Sequence, residues 1–334
     1  MLIYVGSSAP DGRISVFDAD DDGTLRPAGS PVPAPAPSFL VAHPWLPVLY
    51  AANELAEGTI TAYVVDGGGD LTPVVRQPSG GAEPCHLALT VDGRHLLVAN
   101  FGSGSVAVLP LDGDGRPGPP SEVAKHTGVR FDPYPQEGPH AHHVSVLDGE
   151  VTVVDLGTDT LHGYALGPAG TMRPTWTAGA VPGTGPRNLV VHPSGRRYVA
   201  DELSSTVSTY DPDPSTGGLR RIASVAATAT GSGERNYPAE IAVDGDLLYL
   251  ANRGRDTIAV FAIEGDALRP VDEVPSAGAW PRHFVLAGPW LYVANQRSHT
   301  VTMLRRDPSG GAALRPTGVR VTVPSPTCVL ARER

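Results

Sequence analysis

The sequence predicts an all-β fold, a seven-bladed β-propeller with four antiparallel strands per blade, and three observations carry that reading. A short apolar run ending in a polar cap recurs seven times. The caps Ser7, Asn53, Asn100, Asp155, Asp201, Asn252 and Asn295 stand 46, 47, 55, 46, 51 and 43 residues apart, the period of a four-stranded blade rather than of a helical solenoid. Around each cap lie a β-branched run that follows it and a proline-led apolar run that belongs to the same repeat.

The elements follow in order within each repeat. The capped run, strand B, is Leu2-Ile-Tyr-Val-Gly-Ser7 in blade 1, and Leu49, Leu96, Val151, Tyr198, Tyr249 and Tyr292 open its copies in blades 2 to 7. Strand C comes next, as Ile14-Ser-Val-Phe, Thr59-Ile-Thr-Ala-Tyr, Ser105-Val-Ala-Val-Leu and Thr206-Val-Ser-Thr-Tyr show, since alternation with β-branched residues suits a strand. Strand A precedes B and starts at Pro37, Pro84, Pro139, Pro186, Pro238, Pro281 and Pro326, where a strand's first residue needs no ladder donor. Asp92-Gly93, Asp148-Gly149, Ser194-Gly195 and Asp244-Gly245 supply tight A-to-B turns. Strand D is placed after segments such as Leu219-Arg-Arg-Ile, Leu268-Arg-Pro-Val and Leu314-Arg-Pro-Thr. Because the chain starts in a B strand and finishes in an A strand, the last strand is expected to join the first three and close the ring. Residues 1–334 are read as a single domain.

A net charge of −10, with no run of Lys or Arg longer than two, argues against nucleic acid and anionic membranes as partners. No apolar stretch reaches the length of a membrane span and no basic leader opens the chain, so a cytoplasmic location is expected, with a monomer favoured. Cys85 and Cys328 fall in non-adjacent blades and pair with nothing evident. No disulfide, metal or cofactor is expected.

Strand-A starts and strand-B caps share one mouth of the channel, because antiparallel partners run in opposite directions. The residues after each proline read Ser38, Cys85, His140, Arg187, Ala239, Arg282 and Thr327, and the next ones Phe39, His86, Ala141, Asn188, Glu240, His283 and Cys328. In the third position His142 stands among Leu40, Leu87, Leu189, Ile241, Phe284 and Val329, an outlier within the molecule. The residues after the caps add Glu54, Glu202 and Arg253. Longer D-to-A connections, from His126 to Gly138 with Arg130 and Tyr134, and from Ala227 to Tyr237 with Arg235, are candidate lids. Plainer roles stand beside these: the caps terminate strands, His43 and His192 are surface turn residues at the opposite end, and Arg187 and Arg282 pair with Asp201 or Glu202. Alternation is expected to separate His143 from His140 and His142, which leaves no metal triad there. With no Gly-x-Ser-x-Gly elbow, the mouth's Arg, His and Glu suit an anionic small molecule and acid–base chemistry.

Gly185-Pro-Arg-Asn-Leu-Val-Val-His-Pro-Ser-Gly-Arg, Asp201-Glu-Leu-Ser-Ser-Thr-Val, Asn252-Arg-Gly-Arg-Asp-Thr-Ile-Ala-Val-Phe, Trp280-Pro-Arg-His-Phe and Ala294-Asn-Gln-Arg-Ser resemble, in order along the chain, the lactonase family of seven-bladed propellers. That family includes 6-phosphogluconolactonases and the fungal carboxy-cis,cis-muconate cyclase. The resemblance implies catalytic roles for His142 (or His140), Arg187, Glu202 and Arg282, with Arg253 a further candidate, and the alignment of the mouth adds His140, His86, Asn188, Glu240, Arg253 and His283 as expected substrate contacts. Asp201 stands where the family usually has Asn, and His140-Ala-His-His replaces a segment more often ending His-Ser. The implied activity is metal-independent hydrolysis of an anionic sugar lactone, foremost 6-phosphogluconolactone, with Arg187 and Arg282 holding phosphate or polarising the carbonyl and Glu202 or His142 activating water. Cyclisation of a carboxymuconate-like acid and a non-catalytic binding propeller are the alternatives.

Overall fold

The computed structural model describes residues 1–8, 11–128, 135–229, 235–307 and 310–333. Among them the regular structure is β-strand throughout, in seven antiparallel sheets, and no helix is long and apolar enough to cross a membrane. The A strands, Pro326–Arg332, Pro37–Ala42, Pro84–Leu89, Ala141–Leu147, Pro186–Val191, Tyr237–Asp244 and Pro281–Ala287, touch one another in sequence around the channel. Strands B, C and D follow outward in every blade.

Ring closure is as the sequence requires. Pro326–Arg332 pairs antiparallel with Leu2–Ser7, matching Leu2 to Arg332 and Val5 to Val329. Blade 1 carries its fourth strand in two pieces, Leu25–Pro27 and Val32–Pro33, both on Arg13–Ala19. The D strands include, rather than follow, the segments used to place them: Gly218–Ala226, Ala267–Pro275 and Leu314–Thr322.

Strand B is buried on both faces, so it reads as a continuous apolar run: Leu96 to Ala99 have no exposed surface. Tyrosines in three of the B strands tie a blade to the next. The Tyr4 hydroxyl donates to Gly69 O (3.0 Å), Tyr50 to Gly115 O (2.5 Å) and Tyr292 to Gly23 O (3.0 Å), the last joining blade 7 to blade 1. A buried phenol needs such a partner. The accepting glycines sit at positive φ in C-to-D turns. The caps are structural as well: Asn53, Asn100 and Asn252 each donate Nδ2 to the carbonyl of a preceding connection, Pro35, Ser79 and Ala227.

Every A strand breaks its alternation at its start. The register gains one residue after the cap's partner, as between Pro37 and Phe39, Pro186 and Asn188, and Pro281 and His283, and in blade 6 Pro238 and Ile241 pair with Asn252 and Leu250, again one residue more on strand A. In blade 4 the skip lies between Ala141 and His143, and Val144 pairs with Val153 as Leu189 pairs with Val199. Ala141 therefore takes the place of the other blades' proline, and that strand starts there rather than at Pro139. His142 is not an outlier at an apolar position. It occupies the bulge, as Arg187 and Arg282 do, Val144 is the apolar residue, and His140 lies one step before the strand. The bulge also defeats the alternation expected to separate His143, whose ring packs on His86 with centroids 4.0 Å apart.

Candidate active site

Bulging turns consecutive side chains toward the channel, so each blade contributes two tiers at one mouth. A narrow cavity of about 10 Å³, room for roughly one water molecule, is lined by Ser38, Cys85, His142, Arg187, Arg282 and Thr327 from the bulge positions and by Phe39, His86, Asn188, Glu240 and His283 below them. The Asp148-Gly149 turn and Asp92 line a separate hollow that shares none of these residues. A larger open groove beside Asp11, Arg13 and Arg76 shares none either.

Glu202 and Arg253, next to their caps, stand beside this cavity. Arg253 Nη2 meets Glu202 Oε2 at 2.5 Å and Arg187 Nε lies 3.0 Å from the same oxygen, a charge pair whose N–H is not aimed along the contact. Arg253 also donates to the carbonyls of Tyr237 and Pro238. Arg187 thus pairs within its own blade, and Arg282 takes neither Asp201 nor Glu202 but Glu54, 3.3 Å away in blade 2. His140 does not line the cavity. Its ring stacks on Phe101 at 4.3 Å, with Nδ1 donating to Phe101 O and Nε2 3.3 Å from Glu137. His43 is buried rather than a surface residue, Nδ1 accepting from Trp45 and Leu46 amides and Nε2 donating to Gly93 O. Of the lid candidates, Arg130 and Tyr134 lie outside the described residues.

Burial and crowded positive charge set the electrostatics. Desolvation, then Arg187, keeps His142 well below the ordinary histidine range, and the same causes take His283 down to about 3. Burial, reinforced by Arg253, lowers Arg187 to about 9, which leaves it charged at neutrality. Burial alone would raise Glu202, but Arg253 and Arg187 outweigh it and hold that carboxyl below its usual range. Glu240 behaves oppositely. Desolvation lifts it to about 7, although Asn188 Nδ2 donates to its Oε2 at 2.9 Å and His283 Nε2 lies 3.4 Å away. Both cysteine thiols are buried and pushed up to about 12, so neither supplies a nucleophile.

One trio outside this cavity, unnoticed in the sequence, offers ligand atoms for a metal: His126, Asp155 and His162, all within 4.8 Å. His126 Nδ1 donates to Asp155 Oδ2 at 2.6 Å, and its ring stacks on His162 at 3.9 Å. Stacked rings direct their lone pairs side by side rather than to a common point, so the arrangement reads as packing.

A seven-bladed propeller with three arginines and an ionised carboxylate gathered at one channel mouth is a receptor for a small anion, and this one carries a titratable carboxyl inside. Residues 2–331 match the family described as lactonase, 7-bladed β-propeller, and the chain belongs to that family. It is 32% identical over 342 residues to a 6-phosphogluconolactonase of Bacillus subtilis strain 168, covering 98% of this chain and 97% of that one. A second 6-phosphogluconolactonase, from Formosa agariphila, is 31% identical over 82% of each chain. Among solved structures, the periplasmic gluconolactonase PpgL of Pseudomonas aeruginosa superposes with a TM-score of 0.91 at 28% identity, covering 99% of both chains. A Lactobacillus plantarum protein gives 0.89 at 28% identity over 98% of both.

Proposed function

We propose that the chain hydrolyses an anionic sugar lactone in the cytoplasm without a metal, with 6-phosphogluconolactone as its foremost substrate. The observation that carries this is the grouping of Arg187, Arg253 and Arg282 around a cavity that also holds Glu240. The relatives' names favour hydrolysis over cyclisation. Arg187, desolvated and fixed by Glu202, polarises the lactone carbonyl and stabilises the oxyanion that forms when water adds. Arg282 approaches from blade 7 and adds positive charge at the reacting end.

The base is better assigned to Glu240 than to Glu202. A carboxylate shared by two arginines binds a proton poorly, whereas one near 7 accepts a proton from water and returns it to the leaving ring oxygen. His142, neutral and with Nδ1 unpartnered inside the site, orients that water or the ring oxygen by hydrogen bonding. A coupled assay on 6-phosphogluconolactone, corrected for spontaneous opening, tests the activity. Loss of an oxyanion donor is worth about 3 kcal/mol, so Arg187→Ala is expected to reduce kcat/KM roughly a hundredfold. Wild-type turnover no faster than the spontaneous rate excludes the reading.

A further inference from the structure

The rim of blades 6 and 7 holds two aromatic rings and two cations that the assigned mechanism leaves unused. Tyr237 and Trp280 occupy the position just before the strand-A bulge, which in other blades is Ala36, Glu83, His140, Gly185 or Ser325. The turn there commonly imposes a left-handed backbone, with φ of 38° at Ala36, 59° at Gly185 and 64° at Trp280. Glycine meets that demand freely, as Gly185 does, whereas a tryptophan held there is strained. The side chain is retained against its own backbone preference.

What the ring does is visible in its neighbours. Arg297 lies flat over Trp280 with Cζ 3.3 Å from the ring centre, and Arg253 approaches at 5.4 Å. Tyr237 adjoins Trp280 at 5.6 Å, with Arg235 over it at 5.0 Å. Arg235 and Arg297 are exposed, and neither forms an ion pair or side-chain hydrogen bond with any described residue. Such cations are notable in a chain of net charge −10. A guanidinium stacked by its face keeps its N–H edge outward, the edge that grips phosphate in two parallel bonds. Arg253 links the group through Glu202 to Arg187, so the rim is continuous with the cavity.

We propose that Trp280 and Tyr237, flanked by Arg297 and Arg235, form a phosphoryl subsite: the apolar face of the sugar packs on the rings and the phosphate is held by the exposed guanidiniums. This rests on the lactone-hydrolase reading and narrows it to lactones that carry a phosphate remote from the carbonyl. The arginines inside the cavity are then left to the reacting end.

Two variants test it, each assayed with 6-phosphogluconolactone and with unphosphorylated gluconolactone. Arg297→Ala is expected to lower kcat/KM for the phosphorylated lactone about tenfold and leave the other unchanged. Trp280→Gly, which relieves the strained backbone, is expected to keep the wild-type Tm while losing the same preference. Equal effects on both lactones, or none, overturn the subsite. Titration with inorganic phosphate, followed by tryptophan fluorescence, separates this from the activity itself. Quenching in wild type that is lost in Arg297→Ala supports the subsite even if neither lactone is hydrolysed, and identical titrations in the two proteins refute it.

Discussion

Replacing Glu202 by Gln removes the one negative charge shared by Arg187 and Arg253 and changes little else in shape. The two arginine side chains are only 4% and 8% exposed, and that of Glu202 is 17% exposed. Removing one partner of a buried pair commonly costs about 3–5 kcal/mol, because the remaining charge is left unmatched. Here two cations are left facing each other, but the partial exposure of the site admits water, so the lower end, about 3 kcal/mol, is appropriate. For 334 residues at about 2.1 cal/mol/K of unfolding entropy each, that loss lowers Tm by roughly 4 °C. Differential scanning calorimetry of Glu202→Gln, and of Glu202→Gln combined with Arg253→Met, measures it. The second protein is expected to recover part of the loss, since one stranded cation has gone. A Tm within about 1 °C of wild type, with turnover abolished, would overturn this reasoning and return Glu202 to the role of base.

Glu240→Gln is expected to lower kcat/KM about a hundredfold and to abolish a rise in rate centred near pH 7. The sign follows from the base being active when ionised. A wild-type profile flat from pH 5 to 9 excludes Glu240. Asp201 is buried and its pKa is raised to about 7, chiefly by desolvation, despite hydrogen bonds from Ser208 and Thr206. A carboxyl raised on folding contributes stability in its protonated form, fully present below its unfolded pKa near 4 and lost as pH climbs to 7. Asp201→Asn, the residue found at four other caps, is therefore expected to be more stable than wild type at pH 8, by about 4 kcal/mol, and to lose that advantage near pH 4. Denaturant titrations at the two pH values decide it, and equal differences at both refute it.

The blade plan was legible because each B strand is buried on both faces and so writes an apolar run with a polar end. D strands lie outermost, face solvent and carry little pattern, which is why their starts were placed late. The bulges were the hidden term. Periodicity assumes unbroken alternation, and in blade 4 Pro139 sits two residues earlier than the other strand-leading prolines, so aligning on proline shifted His142 away from Arg187's position. Val144 gave the available cue, as the apolar residue that restores the six-blade pattern. The same alignment still brought His86, Arg187, Asn188, Glu240, Arg282 and His283 to one cavity, because the bulge turns both neighbours inward. Trp280 and Tyr237 stand just before the strand-leading prolines, outside the apolar runs through which burial marks each blade.

The pairing of Leu2–Ser7 with Pro326–Arg332 joins strands more than 300 residues apart along the chain. Until Pro326–Arg332 docks, Leu2–Ser7 presents the unpaired edge of a buried strand, an open seam in the ring. A chaperone that shields an edge strand has its natural point of action at that seam. Joining the two ends and opening the ring between other blades would move that seam without altering the cavity, and would show whether folding yield follows its position.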